Sequence, residues 1–266
     1  MSMLKFLKNS SARLALIEAG LILTLIAIPA LAQDDGIARL LKAEPEHLCR
    51  AEGNIIFWCD GTPMAYNDVM GVKTHQEKQE NGDLQEQMEQ RYPKGENYPL
   101  PPPPDFEPGR IRCESFFRKM YGGTKEEVEP RLATVIWLPS TIGRRVRVTT
   151  VNRAHERLQA VSNELDELPH DLKRFLTRPG GGFNWRVIAG EIRRSPHSFG
   201  IAFDINPSVG DYWKWHMDSN GEPDRYRNRV PMEIVSIFEK HGFIWGGKWY
   251  HYDTMHFEYR PELLID

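Results

Sequence analysis

The chain is poor in cysteine, with three in 266 residues, and none stands in the Cys-x-x-Cys spacing of a structural zinc finger. Cys49, Cys59 and Cys113 allow at most one disulfide and leave one thiol over. Cys49 and Cys59 are the nearer pair in sequence, but spacing does not decide the connectivity. Charge of one sign is also scarce: the net value is −3, no basic stripe dominates, and the electrostatic footprint of a nucleic-acid binder is missing. Past Ala32 no apolar run approaches the ~20 residues that a membrane-spanning helix needs. No internal repeat is visible.

With 40% apolar residues over 266 positions, the chain can bury a real core and form one or two domains. Its first 32 residues stand apart. Lys5, Lys8 and Arg13 precede an apolar run from Ala19 to Ala32 that closes on Ala30 and Ala32. This reads as a secretory signal peptide cut after Ala32, which predicts an exported protein of the periplasm or the extracellular space. The alternative is an uncleaved anchor, against which the short run counts. An exported chain can keep a disulfide.

Residues 33–109 read as an N-terminal extension. Ile37, Leu40 and Leu41 suggest a short helix, and Asn54 to Cys59 followed by Asp60 and Gly61 suggests a strand and turn. Val72 to Glu96 is rich in Gln, Glu and Lys and buries too little to offset ordering entropy, which predicts a mobile loop or linker. The proline run from Pro99 to Pro104 predicts a stiff polyproline spacer.

From Arg110 to Asp266 the composition turns globular. Thr134–Leu138 and Arg145–Thr149 read as strands, and Ala154, Leu158, Val161, Leu165 and Leu168 mark one face of a helix that stops at Pro169. Pro231 to Lys240 reads as a second helix, with proline at its start and Gly242 past its end.

Two separated stretches carry the chemistry. The first holds His197 and Asp204, seven positions apart; the second holds His256 with Asp253 three positions before it. Such a set can close around one divalent metal and leave a carboxylate for proton transfer. Ile201, Phe203 and Ile205 alternate with Ala202 and Asp204, so a strand here buries the first set and turns Asp204 to the other face. A bend must separate Asp204 from His197, and Gly200 is where it costs least. Met255, Phe257 and Tyr259 alternate likewise with His256 and Glu258. Asp253 falls in the turn before that strand.

Ser195, His197, Gly200, Ala202 and Asp204, then Gly242, Phe243, Trp245, Gly246, Gly247 and Trp249, then Asp253, His256 and Phe257 together resemble a known family. It is that of the bacterial and phage zinc D-alanyl-D-alanine carboxypeptidases of the VanY type, the dipeptidases, and the L-alanyl-D-glutamate endopeptidases. The resemblance runs from about Arg110 to Leu264. It implies a small α+β domain, an antiparallel sheet flanked by helices with the hedgehog/D-Ala-D-Ala-peptidase fold. It also implies one zinc ion per chain held by His197, Asp204 and His256, with Asp253 as the catalytic base, and peptidoglycan stem peptides as substrate.

Around these residues several roles stay open. Arg186, eleven residues before His197, is the candidate partner of the oxyanion; Arg193 and Arg194 are candidates for a substrate carboxylate. Glu258 is either a rival base or a group that orients a ligand imidazole. Trp245 and Trp249 read as core, and His251 as a donor to the transition state. The reading from sequence is an exported zinc metallopeptidase of the cell wall. The alternative is a zinc-bearing, non-catalytic peptidoglycan-binding or signalling module, which has no need of Asp253.

Overall fold

The computed structural model describes residues 35–265, and the segment expected to be a signal peptide lies outside them. These residues form one compact unit of helices and three small antiparallel sheets, an α+β arrangement. Among the described residues no helix is long and apolar enough to cross a membrane.

The chain begins with helix α1 (Gly36–Ala43), followed by the meander β1 (Leu48–Glu52), β2 (Ile55–Trp58) and β3 (Pro63–Ala65). A disulfide joins Cys49 to Cys59 across it, and Cys113 is a buried free thiol. Helices α2 (His75–Asn81) and α3 (Leu84–Glu89) come next, then α4 (Glu114–Tyr121) and the single turn α5 (Lys125–Val128). The hairpin β4 (Leu132–Trp137) and β5 (Arg144–Thr149) leads into α6 (Ala154–Asp166) and the single turn α7 (His170–Lys173). The last sheet has the order β6 (Ala202–Asp204), β8 (His256–Tyr259), β7 (Phe243–Trp245), with α8 (Met232–Lys240) packed on β7.

Apolar periodicity explains the layers. Leu158, Val161 and Leu165 are fully buried on α6, which covers the β4–β5 hairpin on one side and meets α8 on another. Phe238 of α8 stacks on Phe257 of β8 at 3.7 Å between ring centres, and Trp137 of β4 meets Phe203 of β6 at 4.4 Å. Four elements from distant parts of the chain thus share one aromatic core. Beneath it the β6–β8 register is fixed, because the same strands carry Phe203 and Phe257 inward.

The expectation of a mobile, charged linker is corrected. Val72–Glu96 contains α2 and α3, each opened by a full capping box, Thr74 with Glu77 and Asp83 with Glu86. Local caps open both helices, and α3 also buries Leu84 and Met88 in the core. Lys73 adds ion pairs to Asp68 and Glu86, at 2.6 and 2.9 Å. The expected domain boundary at Arg110 is likewise no break in packing. The stretch from Tyr92 to Arg112 is a strap laid over the rest of the molecule: Trp249 Nε1 donates to Pro108 O at 2.8 Å, Tyr250 N to Phe106 O at 2.9 Å, and Arg260 Nη1 to Gly109 O at 2.9 Å. The proline run lies within this strap and includes the buried Pro102. Composition undercounted this segment because its bonds are made by backbone carbonyls, which have no sequence signature.

Lys248 is the strap's main tie. Its side chain is completely buried, and its ammonium donates to Pro93 O, Gly95 O and Glu239 Oε1 at 2.6 to 2.7 Å. Lys248→Ala should therefore lower the free energy of unfolding by about 3–5 kcal/mol, since Glu239 is left inside without its cation. Urea denaturation reads this directly; a loss within about 0.5 kcal/mol, as for an exposed lysine, would mean that the strap does not depend on the ion pair.

Candidate metal centre

Two local devices set the site. Pro196–Phe199 is a turn of 3-10 helix that ends on Gly200 at φ +70, a left-handed conformation that favours glycine. A Cβ at that position would lie 2.6 Å from Leu132 Cδ2, so space and backbone both demand glycine. The bend carries His197 away from β6 and back over its end. The second device is strand register: Asp204 of β6 and His256 of β8 are direct partners across the antiparallel ladder. Their side chains therefore meet on one face of the sheet.

The segment Gly180–Gly182 closes the other side. Gly181 and Asp204 exchange backbone bonds of 3.2 and 3.0 Å, and a Cβ on Gly180 would come within 2.9 Å of Asp204 Cβ. Gly182 supplies the carbonyl that accepts from His197 Nδ1 at 2.7 Å. A carbonyl only accepts, so Nδ1 donates and Nε2 is the ring nitrogen left to face the cluster. Nε2 lies 3.2 Å from Asp204 Oδ1 and makes no hydrogen bond. Sequence reasoning passed over these three consecutive glycines, although a glycine run is the ordinary sign of close backbone approach.

His256 sits between carboxylates. Nδ1 is 2.8 Å from Asp204 Oδ1 and Nε2 is 3.1 Å from Glu258 Oε1. Burial lowers the pKa of this ring, but the bonds to Asp204 and Glu258 outweigh it and push the value up to about 10. Burial raises Asp204, yet the adjoining His197 and His256 hold it well below the usual carboxylate range. The cluster is thus arranged for positive charge at its centre. One atom each of His197, Asp204 and His256 lie within 4.8 Å of one another, and a buried imidazole nitrogen without a hydrogen bond faces the carboxylate. Two nitrogens and one oxygen so placed can hold a metal ion.

Five of the residues singled out from the sequence, His197, Asp204, Asp253, His256 and Arg186, line one cavity of about 230 Å³. Asp253 bridges to Tyr212 through the backbone, and its Oδ1 is buried without a hydrogen-bond partner. Burial drives its carboxyl up to about 6, against the pull of His256. Arg186 lies at the exposed rim; among the described residues its guanidinium donates only to Val187 O, at 3.5 Å. Glu258, in contrast, is almost wholly buried and is tied to His256, to Arg112 at 3.4 Å and to Arg260 at 3.6 Å. Burial raises its carboxyl, and Arg112 and His256 bring it down to about 2. These ties fit an orienting group and not a proton carrier.

Residues 189–259 match the family model described as D-alanyl-D-alanine carboxypeptidase. The matched segment contains His197, Asp204, Asp253 and His256, and it supports a peptidase. No curated protein and no solved structure matches the chain.

Of the other candidates, His251 and Trp249 also line the cavity, and Arg193 and Arg194 do not. Arg193 is spent on Glu191, 2.5 Å away, and on Arg110 O, while Arg194 lies 4.3 Å over the Trp185 ring. His251 does not join the metal cluster; its Nδ1 lies 2.6 Å from Glu107 Oε1. Trp245 is core, whereas Trp249 also walls the cavity. Two cavity residues that sequence reasoning missed, Arg110 and Arg112, come from the strap. Their only signal was two arginines flanking the apolar Ile111.

A divalent-ion titration should find one tight site per chain, lost in His197→Ala. Glu258→Gln should weaken it about 10- to 100-fold, the usual cost of losing a ligand's supporting group. Equal affinity in both variants would remove His197 and Glu258 from the centre.

Proposed function

We propose that the chain is an exported zinc metallopeptidase that hydrolyses a peptide bond in peptidoglycan stem peptides. One observation carries the reading: Asp253, half-buried with its Oδ1 enclosed and unpartnered, shares a small cavity with the His197, Asp204 and His256 set. A site that only bound its ligand would not keep a desolvated, unbonded carboxyl, because leaving it so costs stability. The family match over residues 189–259 supports the same reading.

The donor set of two imidazoles and one carboxylate suits zinc. Bound there, zinc supplies Lewis-acid polarisation of the carbonyl and lowers the pKa of water toward ~7. The protein's own groups do the rest. Asp253 accepts the proton of the attacking water and returns it to the leaving amine. Its raised affinity for protons, caused by burial, suits a group that must both take and give. Gly182 O fixes the His197 tautomer and Glu258 orients His256, so the ligands are set before substrate arrives. Arg186, with no carboxylate partner among the described residues, is free to meet charge that develops on the carbonyl oxygen. The Cys49–Cys59 disulfide supports residence in an oxidising compartment, as the N-terminal segment suggests.

The deciding experiment is digestion of defined muropeptides with mass analysis of the products. Asp253→Ala should keep its zinc and lose about 10²- to 10⁴-fold in hydrolysis rate, the range for a removed general base. Digestion at the parent's rate by that variant would refute the assignment.

A further inference from the structure

Three large apolar side chains stand in water on the loop between β3 and α2. Val69 is 83% exposed, Met70 75%, and Val72 completely. The loop is nevertheless pinned. Asp68 N donates to Asp83 Oδ2 at 2.9 Å, Val69 N to Asn67 Oδ1 at 2.6 Å and Met70 N to Asp68 Oδ1 at 2.9 Å. Behind them the Lys73 ammonium donates to Asp68, Glu86 and Asn81 O. Val69 itself sits at φ +54, a left-handed conformation that a β-branched residue rarely adopts. Local bonds and a strained backbone thus hold apolar groups outward, where no burial offsets the cost. A Cβ on Gly71, between Met70 and Val72, would meet nothing within 4 Å, so the loop stands clear of the body.

Size and place decide what covers this tip. A stable protein partner takes about 800 Å² from each side, more than three side chains on a narrow loop offer. A bilayer needs less, because apolar groups with polar flanks enter its head-group boundary by about 5–10 Å. Gly71 and Val72 line one cavity with Asp35, the first described residue, and at most about 11 Å of chain joins Asp35 to the apolar run Ala19–Ala32. That run reads as an export signal or an anchor, and either enters a membrane; the tip therefore lies at the end of the molecule that is brought to lipid. The charges behind it are paired, Lys73 with Asp68 and Glu86, Lys78 with Glu89 and Arg91 with Asp35, which spares the approach to lipid the desolvation of lone ions. We propose that Val69, Met70 and Val72 insert into the head-group region of a phospholipid bilayer and hold the chain at a membrane surface. This contact is independent of what the metal centre does.

Met70→Cys in the full chain takes a polarity-sensitive fluorophore at one place, because Cys49 and Cys59 are bonded and Cys113 is buried. Phosphatidylcholine vesicles should shift its emission to the blue, and nitroxide-bearing lipids should quench it. The same label at Ile142, exposed in the β4–β5 turn, should stay in water. In the chain that starts at Gln33, the form left by signal cleavage, changing Val69, Met70 and Val72 together to Ser should weaken vesicle binding about 10- to 100-fold, as expected for partial burial of three apolar side chains. The melting temperature of that variant should not fall, since the three side chains touch solvent. No shift at position 70, an equal shift at position 142, or undiminished vesicle binding by the triple variant overturns the proposal. So does blue emission at position 70 before lipid is added, because a protein surface then covers the tip.

Discussion

Asp204 facing His256 across the β6–β8 ladder is the contact on which the site depends. It joins residues 52 positions apart at 2.8 Å, and it is a matter of register: a slip of one residue would send both side chains to the opposite face. The register is held from below by Phe203 and Phe257, which bury in the aromatic core, and from the side by Gly181, whose backbone pairs with Asp204. Core packing and site geometry are therefore one constraint. The same strands that exclude water with one face present ligands with the other.

Around that contact the electrostatics are graded. Asp204 and Glu258 hold the centre negative, Arg112 and Arg260 hold Glu258 in turn, and Asp253 alone among the acids of the cavity is pushed toward its neutral form. Like groups in one small volume thus have unlike tasks, because their partners differ: imidazoles, guanidiniums or none. Divergent environments for chemically similar groups are what separate ligand, orienter and proton carrier at an active centre.

The strap gives the N-terminal third of the chain a part in the site. Tyr92 to Arg112 is tied down by Lys248 and Trp249 and delivers Arg110 and Arg112 to the cavity. Glu107 also accepts from Gln79 and lies 3.0 Å from His75 Nε2, both on α2. Stability of that segment and composition of the site are consequently linked. The family match begins at residue 189 and so leaves out every arginine of the cavity.

The sequence by itself determined the local elements wherever apolar periodicity or a glycine left no choice. The helix from Ala154, the helix after Pro231, the turn at Gly200 and the alternation through Phe203 and Phe257 were all legible, as was the group of residue types able to bind metal. Tertiary structure alone decided three things. It chose the Cys49–Cys59 pairing, turned the charged segment before Gly95 into capped helices bound to the body, and brought Arg110 and Arg112 beside Asp204. The physical reason is common to all three. Side-chain period and propensity act over a few residues and are written in the order of the chain, whereas these arrangements are fixed by backbone carbonyls and buried charges that meet across a hundred positions or by the closing of a hairpin, where the partner and not the residue type sets the outcome.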